Sequence, residues 1–353
     1  MSKAFLFPYL GILCCAVGTL FISGCSDAKK FDANQTAPES KDSKAPKRDK
    51  VILQLNWYPE AEHGGFYAAK VHGLYEAKNL DVEIRPGGKT TVVPQELTLG
   101  RIQFGVANAD DVVLAREQSA PLVALMAPLQ IGPRCIMVRE DSEISSFEDL
   151  ENITLQIDPS RPYVPFMKSR GLLSKGVKTV PYFGSVAQLV ADKRTAQQAY
   201  SFSEPLMAEQ AGVKVKTLMM SDIGYNPYAS LLIASEDYVS KNDDITKRMV
   251  VASVQGWQKY LESPEETNKF ILSQNQQGMT AEALSYGVTN LKPLCLPEGF
   301  DPSNLGAMSI ERWQTLVEQL ASLKEMKMIP GKVKPEECFN AKFLEPAVAV
   351  QTK

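Results

Sequence analysis

Val51–Gly88 reads VILQLNWYPEAEHGGFYAAKVHGLYEAKNLDVEIRPGG, and its pattern changes twice. The opening run Val51-Ile52-Leu53-Gln54-Leu55 is apolar and predicts a β-strand. Asn56-Trp57-Tyr58-Pro59 interrupts it with a polar, aromatic loop. From about His63 the spacing turns helical, with Tyr67, Val71, Leu74 and Tyr75 on one face. Gly73 is the expected end of the first part of that helix. Leu80-Asp81-Val82-Glu83-Ile84 is a second strand, closed by the turn Pro86-Gly87-Gly88. A strand–loop–helix–strand unit binds ligands outside the carboxyl ends of its strands, at the helix N-terminus. The residues at that point are Asn56, Trp57, Tyr58, His63, Gly64 and Gly65.

The rest of the chain sets the bounds. Its 353 residues suffice for one large or two ordinary domains. A composition of 44% hydrophobic and 22% charged residues is ordinary for a globular protein. A net charge of −3 gives no electrostatic reason to expect a nucleic-acid partner. Histidine occurs only at positions 63 and 72, and no His/Cys cluster has metal-ligand spacing. No phosphate-binding loop and no nucleophile-elbow motif is present. The expectation is therefore no metal, no cofactor and no catalytic residue.

Residues 1–25, MSKAFLFPYLGILCCAVGTLFISGC, carry Lys3, an apolar run and a small-residue end, the pattern of a signal peptide. Ile22-Ser23-Gly24-Cys25 matches a bacterial lipobox, which makes Cys25 the lipidated N-terminus. Ordinary cleavage beside an incidental cysteine is the alternative. Two or three acyl chains would provide the stable anchoring that one chain does not. Residues 26–50 are polar, charged and proline-containing apart from Phe31, and read as a disordered tether. Such a tether of about 25 residues reaches roughly 25–30 Å.

Beyond residue 51 strands and helices alternate, which argues for an α/β fold with largely parallel sheets. Expected strands include 104–107, 122–129, 135–138, 153–157, 198–202, 217–220 and 231–234, with helices at 110–118, 163–173 and 186–194. Asn108 or Asp110 caps the first of these helices. Glu204 and Pro205 open another. After Glu236 the chain is mostly helical, with long helices at 245–263 and 308–326. Cys135 sits in an apolar strand and reads as a buried thiol, while a Cys295–Cys338 disulfide is left open.

The run Gln54–Pro59, His63, Gly65-Phe66-Tyr67, Ala69-Lys70, Gly73-Leu74-Tyr75-Glu76, Leu80–Ile84 and Pro86–Gly88 resembles the periplasmic solute-binding proteins of ABC transporters. The branch is the one that binds thiamine pyrimidine precursors, with its nitrate, sulfonate and taurine relatives. The fungal-type thiamine pyrimidine synthase shares that superfamily. The resemblance continues through Gly100–Val106, Ser146–Leu150 and Ser203-Glu204-Pro205, and covers most of the chain after residue 50.

The resemblance implies a two-lobe periplasmic-binding-protein fold of type II. The chain would cross between lobes near Pro133–Met137 and Asn226–Leu232. Lobe one would be residues 51–134 plus 229–345, and lobe two residues 135–228. It further implies a monomer that captures a small solute and delivers it to an ABC permease, facing the periplasm or the cell exterior.

In that frame each candidate has two readings. Trp57 and Tyr58 either pack at a strand end or form a stacking wall for a flat heterocycle. Asn56 both donates and accepts, as a pyrimidine edge requires. His63 either bonds the local backbone or meets the ligand, with Gly64 and Gly65 leaving N–H groups open. Of Asn108, Asp110 and Asp111, one caps the helix and another is free for a cationic or amino-bearing ligand. Glu204 is either a dipole complement or a ligand carboxylate. Tyr163, Tyr182, Phe183, Tyr225 and Tyr228 either pack or line the cleft. The sum is an aromatic, mildly acidic cleft suited to a pyrimidine or flavin-like ring, and less suited to a free nitrate or sulfonate, Arg161 being the possible exception.

The rival class is enzymatic. In the pyrimidine synthase a lysine holds pyridoxal phosphate and a histidine four residues later is consumed. On the shared Gly-Arg-Ile-x-Phe-Gly frame those positions are Ala107 and Asp111 here. Where that family has its cysteine run, this chain has Tyr225-Asn226-Pro227-Tyr228-Ala229. Without the amine, aldimine chemistry has no anchor. An envelope sensor that presents its ligand to a kinase is the third class.

Overall fold

Short apolar runs separated by amphipathic helices build two five-stranded sheets. The computed structural model describes residues 47–174, 176–274 and 277–344. The leader, Cys25 and most of the tether lie outside the described residues, as does position 345.

The strands are β1 (Asp49–Gln54), β2 (Leu80–Arg85), β3 (Phe104–Ala107), β4 (Leu122–Met126), β5 (Arg134–Arg139), β6 (Thr154–Gln156), β7 (Lys178–Val180), β8 (Thr195–Tyr200), β9 (Val215–Met219) and β10 (Leu231–Ser235). The first sheet has the order β2-β1-β3-β10-β4 and the second β7-β6-β8-β5-β9. In the first, β1 is parallel to β2 and β3, and β10 runs antiparallel between β3 and β4. The second repeats this plan: β6 is parallel to β7 and β8, and β5 runs antiparallel between β8 and β9. Each inserted antiparallel strand is the first element after the chain passes from one sheet to the other.

Those passages are residues 127–133 and 220–230. The sequence placed them a few residues later. The apolar runs that read as bridges are the first strands of the receiving sheets. The tether also ends earlier than expected. Asp49 and Lys50 already pair with Leu80 and Asp81, and Arg248 holds the Asp49 carboxylate at 2.7 Å.

The helices are α1 (Gly64–Val71), α2 (Leu74–Ala77), α3 (Val93–Thr98), α4 (Ala109–Glu117), α5 (Tyr163–Ser169), α6 (Ala187–Ala191), α7 (Glu204–Gln210), α8 (Glu236–Lys241), α9 (Asp243–Glu262), α10 (Glu265–Gln274), α11 (Ala281–Cys295) and α12 (Ile310–Ser322). Gly73 ends α1 with φ +68°, which a glycine adopts without a steric penalty. Helix α9 buries Met249, Val250, Trp257 and Tyr260 against α1. A Cβ on Gly64 would lie 1.9 Å from the Tyr260 ring, and one on Gly65 would lie 2.1 Å from Trp257. Close helix packing therefore accounts for both glycines.

Cys135, Cys295 and Cys338 are buried free thiols, so the Cys295–Cys338 disulfide left open by the sequence is not formed. Among the described residues no helix is long and apolar enough to cross a membrane.

Candidate functional site

The carboxyl ends of β1, β3 and β8 carry Asn56, Asn108 and the Tyr200–Glu204 turn. Asn108 leads α4, where the Asp111 carboxylate accepts its backbone N–H at 3.1 Å. The Asn108 amide then makes two non-local contacts. Its Oδ1 accepts the Ser230 N–H at 3.2 Å, and its Nδ2 lies 3.4 Å from the Tyr200 hydroxyl of the second sheet. Ser230 has φ +54°, a costly conformation for a serine, and it ends the second passage between the sheets. Asn108 thus joins the helix start, the passage and the facing lobe.

His63 is fully buried. Its Nε2 lies 2.9 Å from Asn56 Oδ1 and 3.1 Å from Glu62 Oε1. Both neighbours are acceptors, which assigns the proton to Nε2. Asn56 is left with Nδ2 as a donor. His63 therefore orients the loop after β1. Gly64 serves packing, as described above.

Glu204 is held within its own lobe. Its Oε1 accepts the Tyr182 hydroxyl at 3.0 Å and its Oε2 accepts the Tyr200 N–H at 2.8 Å. Burial raises its pKa against these bonds. Glu60, after β1, is pushed up well above the carboxylate range by burial, then by Glu62 and by Glu204 across the cleft. Burial also lifts the Tyr200 hydroxyl to about 12, against the pull of Arg134.

Asp110 is buried and committed. Its Oδ2 accepts the Tyr225 hydroxyl at 3.1 Å and lies 3.9 Å from Arg134. Asp111 lies 3.9 Å from Arg161, which in turn lies 3.3 Å from Asp158. Burial and Asp110 raise the Asp111 pKa, opposed by Arg161 and Arg134. The cleft carries both signs: Arg134 and Arg161 lie among Asp110, Asp111 and Asp158, and the carboxylates remain in excess. Arg134 itself lies 5.4 Å from the Tyr163 ring centroid and 5.7 Å from that of Tyr200. Sequence reasoning missed Glu60, Glu62, Tyr200 and Arg134. For Arg134 the available signal was a charge opening the otherwise buried strand Arg134–Arg139, directly after Pro133.

The aromatic candidates separate. Trp57 is 38% exposed and meets Tyr58 edge-on at 5.1 Å, while Tyr58 packs over Gly88. Phe183 is exposed, whereas Tyr163 and Tyr225 are buried. Tyr228 lies under Arg312, 3.8 Å from the ring centroid, and its hydroxyl accepts the Ser309 N–H at 3.0 Å. It forms the back of the site. Asn108, Arg134, Tyr225 and Tyr228 border a cavity of about 10 Å³, close to what one water needs.

No group of three or more His, Cys, Asp or Glu side chains among the described residues is arranged to hold a metal. Ala107 ends β3 buried in the core and Asp111 serves the start of α4, so the synthase's amine and imidazole positions have structural duties here.

Two sheets of one plan, joined by two passages around a site at their strand ends, define the periplasmic-binding-protein fold. The periplasmic aliphatic sulphonate binding protein SsuA from Escherichia coli superposes with a TM-score of 0.60 at 16% identity, over 83% of this chain and 92% of that one. The NMT1/THI5-like family model matches residues 60–267, more than half of the chain, and the chain belongs to that family. The riboflavin-binding protein RibY of Chloroflexus aurantiacus is 25% identical over 230 residues, 63% of this chain; the match spans 65% of RibY, slightly under two thirds of its length. The formylaminopyrimidine-binding protein of Halalkalibacterium halodurans is 23% identical over 278 residues, 76% of this chain and 84% of that one.

Proposed function

We propose that this chain is the solute-binding protein of an ABC importer, lipid-anchored at Cys25 on the bacterial envelope and acting as a monomer. It takes a small heterocycle, a thiamine pyrimidine precursor or a similar ring, between the lobe built on the first sheet and the lobe built on the second, which residues 127–133 and 220–230 join. Asn56, Trp57 and Tyr58 meet the ring from lobe one, with His63, Gly64, Asn108 and Asp110 behind them. Glu204 and Tyr225 act from lobe two and the connection, with Tyr228 as backing.

The observation that carries this reading is the convergence on one cleft of aromatic and hydrogen-bonding side chains from both sheets, typified by Asn108 and Tyr200. Stacking supplies affinity and the polar edge supplies selectivity. The names of the relatives, one for riboflavin and one for formylaminopyrimidine, agree with a ring ligand.

The test is thermal unfolding of residues 26–353 against aminopyrimidines, thiamine, riboflavin, taurine, alkanesulfonates and nitrate. A ligand at a hundredfold excess over Kd stabilises the native state by about 2.7 kcal/mol. A shift with a pyrimidine or flavin supports the reading. A shift confined to sulfonate or nitrate overturns the heterocycle.

A further inference from the structure

We infer that Arg134 is a specificity-determining residue of the interlobe site, selecting ligands that present a carbonyl oxygen. This rests on the interlobe cleft being the ligand site proposed above.

Arg134 opens β5, the first residue past the connection from lobe one, and its side chain is 11% exposed. A guanidinium has five N–H donors in one plane, and a buried donor without an acceptor is costly. Other arginines of low exposure in this chain meet that demand. Arg116 donates to the Leu122 carbonyl and to Glu236, Arg139 to Asp141 and the Val190 carbonyl, and Arg248 to Asp49, Asp244 and the Lys78 carbonyl. Arg134 makes no side-chain hydrogen bond among the described residues. Its nearest carboxylate oxygen, Asp110 Oδ2, is 3.9 Å away and takes the Tyr225 hydroxyl instead. Its remaining partners are the Tyr163 and Tyr200 rings, which stabilise the charge but accept no conventional hydrogen bond. The guanidinium thus has no protein acceptor among the described residues and reaches the cavity it lines with Asn108, where a ligand oxygen can take its donors.

Charge balance decides which oxygen fits. Asp110 lies near Arg134, and Asp111 and Asp158 lie near Arg161. The local formal charge is not positive, so a full anion gains little there. A neutral carbonyl satisfies the donors without adding charge.

The experiment is calorimetric titration of residues 26–353 with formylaminopyrimidine, with the matching aminopyrimidine lacking the formyl group, with riboflavin, and with taurine and nitrate as oxyanion probes. The wild type is expected to bind the formyl compound about tenfold or more tightly than the amine, the size of one buried hydrogen bond to a charged donor. Arg134→Met should abolish that ratio, and Arg134→Lys, which keeps the charge without the planar fork, should restore only part of it. Where Arg134→Met fails to fold, the wild-type ratio and Arg134→Lys decide. Equal wild-type affinities for the pair, or an undiminished ratio in Arg134→Met or Arg134→Lys, overturn this inference and leave the proposed function standing. Binding of taurine or nitrate alone, or of none of the probes, overturns both.

Discussion

Arg312 Nε donates to the Asn226 carbonyl at 2.8 Å, and its Nη2 donates to the Asn226 amide oxygen at 3.0 Å. Its Nη1 donates to the Gln130 carbonyl. One guanidinium on α12 therefore holds both passages between the sheets. Asn226 Oδ1 also accepts the Gly132 N–H at 2.7 Å, which ties the passages to each other directly. Hinge closure concentrates its backbone changes in such segments. Arg312→Met would strip these carbonyls of their donors at a cost of about 1–3 kcal/mol. The ligand-free variant should show a larger radius of gyration by small-angle X-ray scattering than the wild type. An unchanged radius in a folded variant would mean that the passages are held by other contacts.

Trp57 and Tyr225 should respond oppositely to substitution. Trp57 is partly exposed at the cleft edge, so Trp57→Ala should alter stability by no more than about 0.5 kcal/mol. Its effect should fall on ligand affinity. Tyr225→Phe leaves the buried Asp110 carboxylate without its hydroxyl donor and should cost about 1–3 kcal/mol of stability. Urea unfolding of both variants, paired with titration of a bound ring compound, separates the two outcomes. Large destabilisation by Trp57→Ala would make that side chain part of the core.

The strand–loop–helix–strand unit was legible because its period switches within forty residues, and β1, α1 and β2 form where the apolar spacing puts them. Local capping was legible in part: of Asn108 and Asp110, the two caps the sequence offers, it is Asn108 that precedes α4. Partnership across the molecule was not. Nothing near Asp110 in sequence announces Tyr225, 115 positions away, or Arg134. From the sequence Asp110 could cap the helix or stay free for a ligand; in the folded chain its Oδ2 accepts the Tyr225 hydroxyl. Gly64 and Gly65 read as open backbone because the sequence gives no sign that Tyr260 and Trp257 of α9 occupy their Cβ space. Glycine at a helix start has two physical uses, and only the packing partner distinguishes them.

Glu60 should make stability fall as pH rises. Its ordinary value is 4.5, and burial with Glu62 and Glu204 raises it well above that in the folded state. Between those values the folded chain holds the proton more tightly than the unfolded chain does. The stabilisation is then complete below 4.5 and is lost as pH climbs through the folded value. Glu204 is shifted the same way and adds to the slope. Glu60→Gln keeps the shape and removes the titration. Its thermal midpoint should decline less than that of the wild type between about pH 5 and about pH 8. Parallel curves for the two proteins would show that Glu60 is solvated when folded.

Helices α1 and α9 approach so closely that one added methyl group on either has nowhere to go. A Cβ on Gly256 would lie 2.3 Å from the Gly65 carbonyl oxygen, and a Cβ on Gly65 would strike the Trp257 ring. The first obstacle is backbone and the second is a fully buried indole, so neither yields by rotating a flexible side-chain end. Gly256→Ala and Gly65→Ala should each destabilise by about 1–3 kcal/mol, the range for overpacking a filled core. The propensity gain of alanine over glycine inside a helix, about 0.5–1 kcal/mol, offsets only part of this. Because both changes separate the same pair of helices, the double variant should lose less than the sum of the single losses. Chemical denaturation of the two single variants and the double variant measures that coupling. Strict additivity would mean that each methyl group is absorbed locally and that the helices keep their spacing.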